Sequence, residues 1–329
     1  MDSVNEHPVY SEDMKMAKAR SGLVFAAALV FVVTLSSCSI NRFAVRTVAG
    51  FLTASGGGTV FTGEADPELV RDALPFAMKT YESLLAEDPS NAPLSLATGR
   101  AFASYAFAFV QAPSDQLPAD QVEAQRAMRL RAKKLFLRAR DYVLRGLDSR
   151  RPGFTAALDR DGAAAALRLA RKEDADYLYW AAAAWMGAFS ADPFDFVQLV
   201  AIPRAVAFLR QVDAWDGAYG AGAVHEIFIS FYGGAPADLG GGEQKARASF
   251  DRAVALSMGL RAGPYVALAT AVSVKNQNAA EFRQLLGQAL AIDVNADIPD
   301  RLVNVINQRK ARWLLDHADD FFLLDEGGE

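Results

Sequence analysis

Beyond residue 66, apolar positions recur every three to four residues along most of the chain, and the strict alternation that marks strands is scarce. Glycine and proline fall mainly between these periodic stretches. Asp66-Pro67 opens the first long helix, because Asp is a good N-cap and Pro suits the first helical position. Breaks follow at Asp88-Pro89-Ser90, Gln111-Ala112-Pro113, Arg151-Pro152-Gly153, Asp192-Pro193, Gly233-Gly234, Gly240-Gly241-Gly242 and Asp297-Ile298-Pro299. The intervening segments run roughly 15 to 25 residues, the rhythm of antiparallel helix hairpins. Ile227, Ile229 and Phe231 alternate as in a strand, but their Ala- and Gly-rich lead-in favours helix. Upstream, a short amphipathic segment from Phe43 to Leu52 is expected to close at Gly56-Gly57-Gly58. The pattern predicts an all-α protein.

A repeat underlies the rhythm. In the second helix of a tetratricopeptide hairpin, a small residue is followed four on by an aromatic and three further on by a small or apolar one. Ala77, Tyr81 and Leu84 fit these slots, with Pro89 ending the helix. Gly99 and Phe102 fit first-helix slots of the next unit. The triplet returns as Ala132, Phe136, Ala139, as Ala205, Leu209, Val212, and as Ala246, Phe250, Ala253. Phe282, Leu286 and Ala289 form a degraded copy. The spacing between copies is irregular, which predicts a compact, closed array of cryptic tetratricopeptide hairpins over residues 66–329, not a long uniform solenoid.

Composition narrows the chemistry. Of 329 residues, 52% are hydrophobic and 22% charged, a globular balance. Lys+Arg 34 against Asp+Glu 39 gives a net charge of -5, which excludes a broadly basic nucleic-acid binder. The single cysteine excludes a disulfide framework, a Cys-based zinc cluster and an iron–sulfur site. His7, His225 and His317 are far apart, and no HExxH, GxSxG, SxxK or CxxC occurs. Gly240-Gly241-Gly242 lacks the Lys-Ser or Lys-Thr of a P-loop and reads as a turn before the helix that carries Ala246. No catalytic residue, metal or cofactor is implied.

The cysteine sits at an informative place. Lys15, Lys18 and Arg20 precede an uncharged run of 13 residues, Leu23 to Leu35. A helix needs about 20 apolar residues to span a bilayer, so the run suits the core of a secretory signal instead. Leu35-Ser36-Ser37-Cys38 then resembles the bacterial lipobox, whose Cys becomes the lipid-bearing first residue of the mature protein. The expected division is residues 1–37 as signal peptide, 38–65 as a lipid-anchored N-terminal segment, and 66–329 as the helical domain. Ser39 carries no retention-type Asp, which favours a periplasmic protein anchored to the outer membrane.

Three groups of residues are candidates for binding. His225-Glu226, between Tyr219 and Tyr232, suits a carboxylate ligand or a pH switch, although neighbours on a helix point about 100° apart. Tyr177, Tyr179, Trp180 and Trp185 are the densest aromatic cluster and are open to two readings, an apolar pocket or packed core. Trp180 and Trp185 project about 140° apart, so one can line a cavity while the other packs outward. The expected cleft comprises Tyr179, Trp180, Trp185, Tyr219, His225 and Glu226. The basic run Arg126, Arg129, Arg131, Lys133, Lys134, Arg138, Arg140 reads as a solvated helix face, with Arg131, Lys134 and Arg138 offered to an acidic partner protein. Glu173, Asp174 and Asp176 read as a helix N-terminal charge cluster favoured by the macrodipole.

In their order and spacing, several stretches resemble one family. They are Asp66-Pro67-Glu68-Leu69-Val70-Arg71 with Leu74-Pro75-Phe76, Tyr105-Ala106-Phe107-Ala108-Phe109-Val110, and Arg131-Ala132-Lys133-Lys134-Leu135-Phe136 with Arg138-Ala139-Arg140-Asp141-Tyr142. Leu178-Tyr179-Trp180 with Trp185 follows, then Gly241-Gly242 with Ala246, Phe250 and Ala253, and Asn304 with the run Arg309 to Leu315. The chain resembles the T-component of tripartite ATP-independent periplasmic (TRAP) transporters over nearly its whole mature length. Glu243 stands where the family more often has Asp after the glycines, a change the turn tolerates. The resemblance implies a non-enzymatic helical lipoprotein, homo-oligomeric as a trimer, that partners the transporter's solute-binding protein. It also implies a hydrophobic cleft for a small apolar or organic-acid ligand.

Two other classes compete. A tetratricopeptide scaffold lipoprotein for envelope assembly would have a filled core and a long exposed groove, whereas ligand handling needs a cavity of a few hundred Å³. A helical-repeat cell-wall enzyme would need a catalytic Glu of raised pKa, for which Glu226 is the candidate. The lipobox yields the first prediction: Cys38→Ala leaves an uncleaved or mislocalised precursor, visible by gel mobility and membrane fractionation. A correctly processed, soluble variant would refute it.

Overall fold

The computed structural model describes residues 55–323; Cys38, the apolar run before it and Phe43 to Leu52 lie outside the described residues. Local rules set the first long helix as expected. The Asp66 carboxylate accepts from the N–H groups of Glu68 (2.9 Å) and Leu69 (3.1 Å), and Pro67 occupies the first turn. The helices are α1 Ser55–Thr62, α2 Pro67–Glu87, α3 Ala92–Ala106, α4 Val122–Arg150, α5 Phe154–Asp161, α6 Ala163–Leu167 and α7 Ala175–Ala191. They continue with α8 Phe196–Trp215, α9 Ala223–Gly234, α10 Glu243–Leu256, α11 Gly263–Leu268, α12 Ala279–Ala291 and α13 Arg301–Asp316. Among the described residues there is no strand, and Ile227, Ile229 and Phe231 lie in α9.

Most expected breaks are helix ends, with two corrections. Gly56-Gly57-Gly58 does not close a segment but lies within α1. Gln111-Ala112-Pro113 does not break α3, which runs on through a π-helical turn, Phe107–Gln111, to Ser114. The wider turn resets the hydrogen-bond ladder, with Ala112 N–H donating to the Phe107 carbonyl. Pro113 therefore sits in the first turn of the new register, where its missing N–H costs little. A second π turn, Ala269–Ser273, extends α11.

The repeat triplets mark the core. Ala132, Phe136, Ala139, Ala205, Leu209, Val212, Ala246, Ala253, Phe282, Leu286 and Ala289 are buried, and Phe250 is half-buried. The first copy is out of register. Ala77, Tyr81 and Leu84 are half-buried, while Val70, Leu74, Met78 and Leu85 form the buried row of α2. As the first long helix of the array, α2 packs chiefly on α3 and on the returning α13, so the row turned inward differs from that of an internal copy. Elsewhere small residues let helices approach at the backbone. A Cβ on Gly99 would stand 2.3 Å from Val143 Cγ2 and 2.8 Å from the Ala139 carbonyl, so only glycine permits the α3–α4 spacing.

The chain closes on itself. Arg309 of α13 grips Glu68 of α2 with both terminal nitrogens, and this guanidinium holds the Glu68 carboxyl down to about 2. Arg301 donates to the Gly63 carbonyl at 3.2 Å. Asn304, one of the family-like residues, accepts from Ala262 N–H (2.9 Å) and donates to the Leu260 carbonyl (2.8 Å), fastening α13 to the start of α11. Asp174 is more than a terminal charge. Fully buried, it accepts from Arg150 (2.8 Å), Arg151 (2.6 Å) and the Arg171 N–H (3.0 Å). Burial pushes its carboxyl up, but these donors outweigh burial and hold it below the usual range.

The shifted register of α2 makes a contrast measurable. Ala132→Leu should cost about 1–3 kcal/mol through overpacking, while Ala77→Leu should stay within about 0.5 kcal/mol. Chemical denaturation of the two variants beside the parent checks the difference.

Candidate functional site, an interior cavity

The helices surround a half-open cavity of about 1870 Å³, lined chiefly from α3, α7, α8, α9, α11 and α13. Typical small-molecule sites occupy about 300–1,000 Å³, so this space exceeds what a single compact metabolite needs. Much of the wall is apolar, including Ile202, Val206, Ile227, Phe231, Val266 and Leu302. Both π turns contribute to it, through Phe107, Ala108 and Phe109 on one side and Thr270 and Ala271 on another. Such turns displace side chains from their regular helical positions, a device frequent at functional sites.

A belt of aromatic and charged groups interrupts the apolar wall. Tyr179 packs edge-on against Trp180 (centroids 5.5 Å apart) and at 5.0 Å from Tyr219. The Tyr219 hydroxyl donates to Asp176 Oδ1 at 2.5 Å. Burial pushes the Tyr179 hydroxyl up to about 12 and raises Tyr219 further, so both stay protonated donors at neutral pH. The Arg100 guanidinium lies over the Trp180 ring, 5.2 Å from its centroid. Arg261 donates to the Gly220 carbonyl at 2.9 Å, with Nε 3.1 Å from Asp300 and Nη2 3.8 Å from Glu226. Burial raises the Glu226 and Asp300 carboxyls, and Arg261 only partly offsets it.

Two local features hold the belt in place. Gly220, Ala221 and Gly222 are consecutive left-handed residues, with φ of 54°, 51° and 95°. For Ala221 that conformation costs about 1–2 kcal/mol. The turn sets Tyr219 against Tyr179 and aims the Gly220 carbonyl at Arg261. The second feature is Gly263, where a Cβ would stand 1.9 Å from Glu226 Oε1. Only glycine leaves the Glu226 carboxylate its position.

The expected cleft residues divide. Tyr179, Trp180, Tyr219 and Glu226 line the cavity, whereas Trp185 and His225 do not. Trp185 is buried between Phe208 (5.7 Å) and the Arg140 guanidinium (5.7 Å). His225 turns to the far side of α9, its Nε2 3.3 Å from Asp213 Oδ1. One residue of helical rotation thus separates it from Glu226. Among the basic candidates, Arg138 pairs with Glu82 and covers Phe102 (4.7 Å), Arg131 lies over Tyr105 (5.8 Å), and Lys134 is exposed. Sequence reasoning missed Arg100, Arg261 and Asp300. None belongs to a motif; Arg100 had only its place between Gly99 and Phe102 to signal it.

Burial holds the His225 imidazole below its usual 6.5, with Asp213 opposing and Arg252 reinforcing the shift. A folded-state value below the unfolded one means that the unfolded chain binds the proton more readily. Stability should therefore decline as pH falls below 6.5. His225→Gln should remove that part of the decline, measurable as denaturation midpoints between pH 7.5 and about 5.

Comparison with known proteins places this architecture. The profile described as TRAP transporter T-component matches residues 63–322, a span that holds α2 to α13 and the whole charged belt. The chain is also similar to an uncharacterized protein of Treponema pallidum (strain Nichols), 34% identical over 304 residues that cover 88% of this chain and 94% of the relative. The chain belongs to the TRAP transporter T-component family.

Proposed function

We propose that this protein is the non-enzymatic, lipid-anchored periplasmic subunit of a TRAP transporter, which docks the solute-binding protein and holds an apolar or organic-acid ligand in its cavity. The cavity of about 1870 Å³ carries the reading, because a scaffold assembled from the same hairpins would fill that space. Family membership supports the transporter role. Glu226, though its carboxyl is raised, faces Arg261 in the belt, which suits a polar wall better than an acid catalyst. Among the described residues no helix is long and apolar enough to cross a membrane; in this reading the protein is attached through Cys38. The protein acts as a homo-oligomer, a trimer in this reading.

The docking face combines two features. Phe194 is 98% exposed at the turn before α8, and Phe196 and Val197 beside it are more than two-thirds exposed. Exposed apolar clusters of this kind mark interaction surfaces. Lys133 of α4 bonds both Asp192 (2.8 Å) and Asp195 (2.5 Å), tying this turn to the helix that carries Arg131 and Lys134. Pro193 and Leu199 of the same segment also line the cavity, so the surface is continuous with the ligand space. The occupant is the solute-binding protein, through this apolar spot beside the basic helix that carries Arg131 and Lys134. With both proteins purified, the parent chain should bind the transporter's own solute-binding protein, and Phe194→Asp should weaken binding at least about tenfold. Absence of binding by the parent chain would overturn the docking role.

A further inference from the structure

The charges on the cavity wall are unevenly matched. Arg261 has Glu226, Asp300 and the Gly220 carbonyl around it. Asp176 receives the Tyr219 hydroxyl, and Asp115 is paired with Arg129. Arg100 differs. Among the described residues no carboxylate lies within ion-pair distance of it, and its close partner is the face of Trp180. The Tyr179 hydroxyl, on the same belt, is a protonated donor with no hydrogen-bond acceptor among the described residues. Arg210 and Lys310 also line the cavity without a carboxylate partner, but neither has an aromatic face behind it.

We propose that Arg100, backed by Trp180 and joined by the Tyr179 hydroxyl, binds the carboxylate of an amphiphilic monocarboxylic acid whose hydrocarbon part occupies the apolar cavity. The proposal rests on the reading that the cavity holds a ligand, and adds its chemical class and the residues that select it. A guanidinium offers a planar fork that matches the two oxygens of a carboxylate. Its place over the indole restrains that fork before the ligand arrives, which lowers the ordering cost of binding. The phenol supplies a further donor from the adjacent position on α7. A cationic head finds no equivalent, since Glu226 and Asp300 are turned to Arg261 and Asp176 to Tyr219. A dianionic phosphate is disfavoured by those three carboxylates on the same belt, whereas one negative charge is balanced by Arg100 alone. The hydrocarbon part then meets Ile202, Val206, Ile227 and Phe231, where each buried methylene contributes about 0.8 kcal/mol.

The experiment compares heads on one tail. Dodecanoate, dodecan-1-ol and dodecyl phosphate are titrated into the purified full chain, followed by calorimetry and by tryptophan emission, to which Trp180 contributes. Dodecanoate should bind the parent chain about tenfold or more tighter than the alcohol and tighter than the phosphate. Arg100→Gln should bring dodecanoate to the level of the alcohol, leaving alcohol binding unchanged; Tyr179→Phe should give a smaller loss of the same kind. Alcohol binding that survives in Arg100→Gln shows that the variant is folded. If carboxylate and alcohol bind the parent chain equally, or Arg100→Gln keeps the preference, this inference is overturned while the cavity reading stands. Tighter binding of the phosphate overturns the assignment of a monocarboxylate. If none of the three binds, the cavity reading itself fails, and this inference with it.

Discussion

The α3–α4–α7 contact is made by backbone and small side chains, and the arrangement of the cavity depends on it. Gly99 lies against the α4 backbone, and Ala132, Ala139, Ala181, Ala184 and Ala188 are buried at these interfaces. Where a ring enters these contacts a glycine faces it, Gly187 against Phe136 and Gly146 against Tyr177. Arg100, Tyr179 and Trp180 project away from the contacts, into the cavity. One residue decides which surface a side chain meets. Arg100 follows Gly99 by about 100° of helical rotation, and Glu226 follows His225 by the same angle.

Closure keeps the space from collapsing. A hydrophobic wall exposed to an open interior gains free energy by shrinking, unless rigid elements hold its sides apart. Here α13 returns to α1 and α2, and Asn304 pins it to the backbone before α11. On the other side, buried Asp174 draws Arg150 and Arg151 together where α4 ends and α7 begins. Removing one member of such a buried pair leaves an uncompensated charge, so the clamp is geometrically strict. These polar fasteners lie at the ends of helices, while the middles of α7, α8 and α9 are free to face the cavity.

Helix content, most boundaries and the buried triplets were legible because they follow from periodicity and from Gly and Pro chemistry. Ala205, Leu209 and Val212 are buried as the repeat required. The failures have physical causes. The α2 triplet slipped because a helix at the start of the array has different neighbours from an internal copy. The expected break at Gln111-Ala112-Pro113 was absorbed by a π turn, which no local rule signals. Trp185 carries the same side chain as Trp180, and His225 is the neighbour of Glu226; helical rotation parts the members of each pair, and tertiary packing decides which member faces the cavity.

The irregular backbone and the polar belt are connected. Regular α-helices around a central space would present mainly the apolar faces that periodicity demands of them. Placing two arginines, two tyrosines and three carboxylates on one belt takes departures from that regularity. The left-handed turn Gly220–Gly222 brings Tyr219 and a backbone carbonyl to the wall, and the bare α-carbon of Gly263 leaves space for Glu226. The π turns re-aim the ends of α3 and α11. Ala221 is the clearest sign that this is not incidental, since a single reversion to ordinary φ would relieve its strain. That strain persists because Arg261, itself held by Asp300, binds the Gly220 carbonyl and fixes the turn. Arg261 and its two carboxylates thus act as structure for the belt, whereas Arg100, set over Trp180, has no carboxylate partner among the described residues.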